Sequence, residues 1–180
     1  IDGSGKSSLV LSLHTLLSDL SPVFTREPGS TWVGDQVRRA VAEKADPITE
    51  ALLFAADHAA HLSTLVRPSL ERGLLVISDR YSDSRYAYQQ ETLKGYIDDP
   101  LAWLRALHAG WTVCPDLTFL IVLPVDEALS RIKEKQNREH FENHRLLEKV
   151  QDQYLALAKS DPSRFVLVDG TKDEGEIAGF

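Results

Sequence analysis

An α/β domain built on a parallel sheet is the fold that this sequence predicts, and three observations carry the expectation. The chain opens Ile1-Asp2-Gly3-Ser4-Gly5-Lys6-Ser7-Ser8 and passes at once into a segment whose Leu9, Leu13, Leu16, Leu17 and Leu20 recur at helical spacing. Apolar runs at 74–77, 117–123 and 165–168 are continuous rather than alternating, as expected of strands covered on both faces. Segments of helical period separate these runs, and alternation of strand and helix means a parallel sheet.

The opening loop follows the pattern G-x-x-x-x-G-K-[ST] without its leading glycine. Phosphates are bulky and charged, so a loop that wraps them needs close backbone approach, which Gly3 and Gly5 allow. Lys6 suits the β- and γ-phosphates of ATP, and the Ser7 hydroxyl suits Mg²⁺. The helix that follows adds the positive end of its dipole. Gly3, Ser4, Gly5, Lys6, Ser7 and Ser8 are therefore the candidate ATP-binding residues. A Gly/Ser turn that merely caps a helix would use the same residue types. The pattern starts one residue late and the chain has no methionine, so a strand and a glycine are expected upstream of Ile1.

The remaining elements follow in order. Ser21-Pro22 stops the first helix, and Val23-Phe24-Thr25 reads as a short strand. A polar turn, Thr25 to Thr31, leads to a helix carrying Val33, Val37, Ala40 and Val41. Asp46-Pro47 supplies a cap and an N1 proline for a helix through Val66, with Gly73 beyond its end. The run at 74–77 delivers Ser78-Asp79-Arg80-Tyr81 to its carboxyl end. Residues 84–93 look helical, Gly95 breaks that pattern, and Asp99-Pro100 starts a helix through Leu107. After the run at 117–123, Asp126 is expected to cap a helix through Ile132. Leu147, Val150, Tyr154 and Leu157 mark another helix before the last strand.

Composition narrows the class. The 180 residues are 43% hydrophobic, enough for one ordinary domain with one core. A formal charge of −7 with no basic block argues against bulk nucleic-acid binding. The one cysteine, Cys114, has no internal disulfide partner, which suits a reducing cytosol, and no apolar run reaches membrane-spanning length.

In open parallel sheets ligands sit outside the carboxyl ends of the strands. The opening loop, the turn after Thr25 and the turn after Ser78 should therefore share one end of the sheet. Asp79 there can hold a Mg²⁺-bound water, or cap the following helix. Arg80 can fork onto a phosphate or pair with a surface carboxylate. Of Arg38 and Arg39, at least one should only solvate its helix. By periodicity alone Phe54 is a core residue, and Tyr88 with Gln89 a half-exposed helix face.

Thr25-Arg26-Glu27-Pro28-Gly29, Leu52-Leu53-Phe54-Ala55-Ala56-Asp57, and Asp79-Arg80-Tyr81 with Ser84, Ala87, Tyr88 and Gln89 resemble, in order and spacing, the motifs of the thymidylate kinases. Pro115-Asp116-Leu117-Thr118 and Phe141-Glu142 before Tyr154 also fit. The resemblance implies a single three-layer α/β/α P-loop domain over 1–180, strand order 2-3-1-4-5, with the first strand missing from this chain. The strands near 74–78 and 117–123 would then flank the place of that strand. It implies a cytosolic, usually homodimeric enzyme, with no nucleic-acid or membrane partner, passing the γ-phosphoryl of MgATP to dTMP. Carried over by position, Phe54 stacks on thymine, Arg38 and Arg80 grip the acceptor phosphate, and Tyr88 and Gln89 lie near sugar and base. Glu27 and Ser84 join them in the dTMP site. Asp2 lies close to the acceptor and magnesium, and Ser7 and Asp79 hold the metal. The lid, about 131–145, supplies Arg131 toward ATP, and Arg138 or Lys135 as the transition-state cation, since Asp2 to Ser4 contains none.

Three positions depart from the pattern: His58 stands where many members have Arg, Arg85 where a small or amide residue is common, and Val122 where many have Asp. They bear on nucleobase preference more than on reaction class. Two readings compete: a different nucleoside or nucleotide kinase of this architecture, and a non-catalytic nucleotide-binding protein.

Overall fold

The computed structural model describes residues 1–133 and 144–179. The order is α1 (Lys6–Leu16), a 3₁₀ turn (Ser18–Leu20), β1 (Val23–Arg26), α2 (Trp32–Glu43) and α3 (Pro47–His61). A π-helical stretch (Leu62–Val66) and α4 (Arg67–Glu71) follow, then β2 (Val76–Asp79), α5 (Ser82–Thr92) and α6 (Pro100–His108). The chain closes with β3 (Thr118–Val122), α7 (Val125–Lys133), α8 (His144–Ser160), β4 (Phe165–Asp169) and α9 (Glu174–Ala178). This is an α/β chain with parallel strand pairs. It forms two compact units, one of Ile1–Leu16 with Pro115–Phe180 and one of Leu17–Cys114.

In the unit of residues 17–114, β1 and β2 pair in parallel, with Thr25 opposite Ser78 and Arg26 opposite Asp79. The turns after both strands therefore leave from one end of the pair. Local chemistry sets the helix starts. The Thr31 hydroxyl accepts the Gly34 N–H at the start of α2, and Asp46 accepts that of Thr49 before Pro47 opens α3. Asp99 caps α6 in the same way, through Ala102 N–H. The helix expected through Val66 runs on past it, and its π-helical stretch lies just before Pro68, which has no N–H to give the ladder. Val33, Val37, Ala40 and Val41 of α2 are buried, as are Ala51 and Ala55 of α3. Ala51, Leu93 and Leu104 form a core cluster with Ile48, Tyr86, Ile97 and Trp103 against it.

In the other unit β3 and β4 pair in parallel, from Thr118 opposite Phe165 to Val122 opposite Asp169. Leu147, Val150, Leu157 and Ala158 of α8 form its buried helical face. Four expectations change. The strand expected from Leu74 begins at Val76. The helix after β3 starts at Val125, which puts Asp126 in its first turn instead of at its cap. Helix α1 ends at Leu16, and none of its residues is fully buried. Finally, Phe119 and Leu167 are 57% and 55% exposed. A continuous apolar run shows that a strand is apolar on both faces, not that both faces are covered.

Candidate active site

Chemistry gathers first at the carboxyl ends of β1 and β2. Glu27 follows β1, and its backbone N–H donates to the Asp79 carbonyl at 3.1 Å. Arg80 leaves β2 with φ +68, a left-handed backbone that costs a β-carbon about 1–2 kcal/mol. The Ser78 hydroxyl donates to the Arg80 carbonyl at 2.7 Å and braces the turn. The Arg80 guanidinium lies 5.2 Å from the Tyr88 ring centroid, stacked as a cation over an aromatic face. Asp79 is half-buried and does not cap α5, whose N-cap is Tyr81 without a side-chain cap bond.

Helix α5 is polar in sequence yet mostly buried. Ser82, Asp83, Arg85, Tyr88, Gln89, Gln90 and Glu91 are each less than a tenth exposed. Tyr88 and Gln89 are therefore no half-exposed face. Polar groups are costly to bury unless paired, so this helix faces partners rather than a plain core. Gln89 Nε2 donates to Glu50 Oε1 at 3.5 Å, Ser84 is half-buried, and Phe54 of α3 is half-buried rather than enclosed.

The two arginines of α2 divide as the sequence anticipates, and the structure decides which does what. Arg39 pairs with Glu43 one turn on, both side chains well exposed. Arg38 turns instead to the Pro28–Thr31 turn. Its Nη1 donates to the carbonyls of Gly29 at 2.9 Å and Pro28 at 3.3 Å, and its Nη2 to Asp35 at 2.7 Å.

Beneath these strand ends lies a buried ionic network. Glu27 Oε1 accepts Nδ1–H of His58 at 2.7 Å and of His61 at 2.8 Å, while Oε2 accepts the Arg85 guanidinium. A carboxylate only accepts, so both rings carry hydrogen on Nδ1. Their Nε2 atoms then accept the hydroxyls of Thr112 at 2.6 Å and Thr25 at 2.8 Å. Arg85 Nε donates to His108 Nε2 at 3.1 Å, and His108 Nδ1–H donates to the Leu104 carbonyl at 2.7 Å. Burial by itself would raise the Glu27 carboxyl. The Arg85 charge and the two imidazole bonds outweigh it and hold the group well below the carboxylate range. Burial lowers His58, against the bond to Glu27, and pushes His108 down to about 4.

The ligand atoms of Glu27, His58 and His61 lie within 4.8 Å of one another. Arg85 already balances Glu27, and a cation there would sit buried beside a guanidinium and displace two ring protons. The cluster fits an internal ion pair better than a metal centre, and its nitrogens are unsuited to Mg²⁺. Sequence reasoning marks His58 and Arg85 only as departures, quotes Asp57 within a family motif without a role, and passes over His61 and His108. The available signal was polar residues, Asp57, His58 and His61, on a face of α3 that also carries buried alanines.

In the unit of residues 1–16 and 115–180, the opening loop turns on two glycines with left-handed backbone. Gly3 and Gly5 take φ +78 and +89. A β-carbon on Gly3 would lie 2.1 Å from the Ala128 carbonyl oxygen, whereas one on Gly5 would meet only Arg131 Nη1, at 3.9 Å. The space at Gly5 is open, and α1 begins immediately after it at Lys6. Lys6 Nζ donates to the Ile1 carbonyl at 2.5 Å and to Ser4 Oγ at 3.3 Å; Ser4 is buried, Asp2 and Ser8 are half-buried, and Ser7 is exposed. Arg131 Nη2 is held by Glu127 at 2.6 Å and by the Gly170 carbonyl at 3.0 Å, which keeps the guanidinium beside the loop. The structure thus places Arg131 beside the loop. This donor set, backbone with one ammonium, one guanidinium and a helix start, fits a polyphosphate, and the Ser7 hydroxyl fits a hard cation. Arg138 and Lys135 lie outside the described residues.

A family model described as thymidylate kinase matches residues 1–178. Similar curated relatives include a probable thymidylate kinase of Methanoculleus marisnigri, 61% identical over 180 residues, covering 100% of this chain and 88% of the relative. Those of Methanospirillum hungatei, at 58% identity over 95% of this chain and 83% of the relative, and of Methanocorpusculum labreanum, at 53% over 100% and 91%, carry the same name.

Proposed function

Because this chain belongs to the thymidylate kinase family, we propose that it transfers the γ-phosphoryl group of ATP to dTMP, giving dTDP. The observation that carries the reading is that the family match runs from the phosphate loop through both units, 1–178, rather than over the loop alone. A protein that only bound nucleotide would need the loop and not the rest.

In this reading the acceptor is a phosphate monoester already largely ionised at neutral pH (second pKa about 6), so no strong general base is required. The work is positioning and the cancelling of repulsion between two anions. Lys6 bridges the β- and γ-phosphates, with Gly3, Ser4, Gly5, Ser7 and Ser8 around them and Arg131 alongside. Arg80 and Arg38 hold the acceptor phosphate, Phe54 stacks on the base, and Ser84, Tyr88, Gln89 and Glu27 shape the rest of the acceptor site. When bound, Mg²⁺ neutralises phosphate charge, and Ser7 and Asp79 are the residues that would hold it, with Asp2 close by. A lid cation, Arg138 or Lys135, meets the charge that develops in transfer. The strand order 2-3-1-4-5, the homodimer and a cytoplasmic location belong to the same proposal; the β1–β2 and β3–β4 pairs are its 2-3 and 4-5 neighbours. Among the described residues no helix is long and apolar enough to cross a membrane.

The test is a panel of monophosphate acceptors (dTMP, dUMP, UMP, dGMP, AMP) in a coupled ADP-release assay. Preference for dTMP supports the reading, preference for another acceptor moves the activity within the kinases, and tight ATP binding without turnover of any acceptor overturns it.

A further inference from the structure

Asp57 is 1% exposed, and no cation accompanies it among the described residues. Its carboxylate spends both oxygens on one turn: Oδ2 accepts the Gly29 backbone N–H at 2.8 Å, and Oδ1 the Thr31 hydroxyl at 3.2 Å. An isolated buried carboxylate is costly, and what offsets it here is the start of α2. Thr31 is the N-cap of that 12-residue helix, and a β-carbon built on Gly34 would lie 3.0 Å from Asp57 Oδ1. The carboxylate thus sits against the positive end of the helix dipole. The packing is tight enough that the same β-carbon would lie 2.1 Å from the Gly29 carbonyl oxygen.

The turn that Asp57 holds has a second customer. The carbonyls of Gly29 and Pro28 accept Arg38 Nη1, and Arg38 remains 42% exposed, so its guanidinium is held from behind while facing outward. Gly29 is the shared point: its N–H is fixed by Asp57 and its C=O fixes Arg38. We propose that Asp57 is a positioning residue for the acceptor phosphate, acting through the Pro28–Thr31 turn to aim Arg38. This rests on the reading of Arg38 given under the proposed function. A long side chain that grips a phosphate loses less entropy when its direction is already set, so the effect belongs to phosphate binding and not to the base.

The experiment compares binding of dTMP and of thymidine, which lacks the phosphate, by titration calorimetry on the full chain. Asp57→Asn keeps the shape and removes the charge. It should weaken dTMP by about 10-fold or more while moving thymidine less than about 2-fold. In an Arg38→Ala background, Asp57→Asn should add less than about 2-fold, because the two act in series. Equal losses for dTMP and thymidine, an unchanged dTMP affinity, or a full additional loss in the Arg38→Ala background would each overturn the proposal. If Arg38→Ala alone leaves dTMP binding intact, it is the reading of Arg38 that has failed, and this inference falls with it. Should Asp57→Asn not fold, Thr31→Val removes the one hydroxyl bond to Asp57 and must show the same phosphate-selective loss; no such loss overturns the proposal.

Discussion

His58 donates its Nδ1–H to Glu27 Oε1 at 2.7 Å, with both side chains almost wholly enclosed. Through that carboxylate the end of β1 is tied to α3, and through Arg85 to α5. These are the elements that carry Phe54, Ser84, Tyr88 and Gln89. The network therefore sets the spacing of the helices around the proposed acceptor site.

Glu27→Ala should be strongly destabilising. It leaves the Arg85 guanidinium buried without its counter-charge, a loss of about 3–5 kcal/mol for a broken buried pair. Denaturant unfolding of the variant against the parent measures it. A change under about 1 kcal/mol would mean that the pair contributes nothing to the fold.

Stability should fall on acidification from about pH 6.5 toward 4. His58 and His108 have native pKa values below the ordinary 6.5, the latter about 4, so the unfolded state binds more protons across that window. Glu27 acts in the same direction lower down: a carboxyl held below its ordinary 4.5 contributes stability above that value and loses it as pH falls further. Urea midpoints taken from pH 7.5 to 4.5 should drop, by up to about 1.36 kcal/mol per pH unit for each imidazole. His108→Gln can still donate to Leu104 and accept from Arg85, and should flatten the profile. A flat profile in the parent would show that these rings are not kept neutral.

Arg80→Ala should lose at least about 100-fold in kcat/KM for dTMP, roughly 2.7 kcal/mol, with ATP binding little changed. Arg39→Ala removes only an exposed helix pair and should leave turnover within about 2-fold and the unfolding midpoint essentially unchanged. Steady-state kinetics on the two variants side by side decides the matter. Equal effects would refute the division of labour among these arginines.

Gly3 and Gly5 should differ in their tolerance of alanine. Both require positive φ, costing about 1–2 kcal/mol, but at Gly3 the added carbon also meets the Ala128 carbonyl oxygen at 2.1 Å. Overpacking adds about 1–3 kcal/mol, so Gly3→Ala should be the more destabilised in thermal melts. Both should bind ATP less well. Equal melting temperatures would contradict the packing of the loop on α7.

Neutralising Arg138 and Lys135 together should cut kcat, by as much as about 10³-fold, with little change in KM for dTMP. Rapid-quench measurement of the transfer step reads this directly. Normal kcat in the double variant would pass the role to Arg131, which the structure already holds beside the loop.

The amino-acid sequence by itself determined the parts whose causes are local. Helix starts at Thr31, Asp46 and Asp99 depend on bonds spanning three residues, and the glycines of the phosphate loop answer to their own φ angles. The parallel strands and the family were legible for the same reason, since period and motif spacing are written along the chain. Tertiary structure alone decided which groups would meet. It separated Arg38 from its neighbour Arg39 and enclosed Tyr88 and Gln89. It also placed Glu27, His58, His61 and Arg85 on one another across as many as 58 residues of chain. Such partners are chosen by packing, where a buried carboxylate is stable only beside the cation and donors that the other elements deliver.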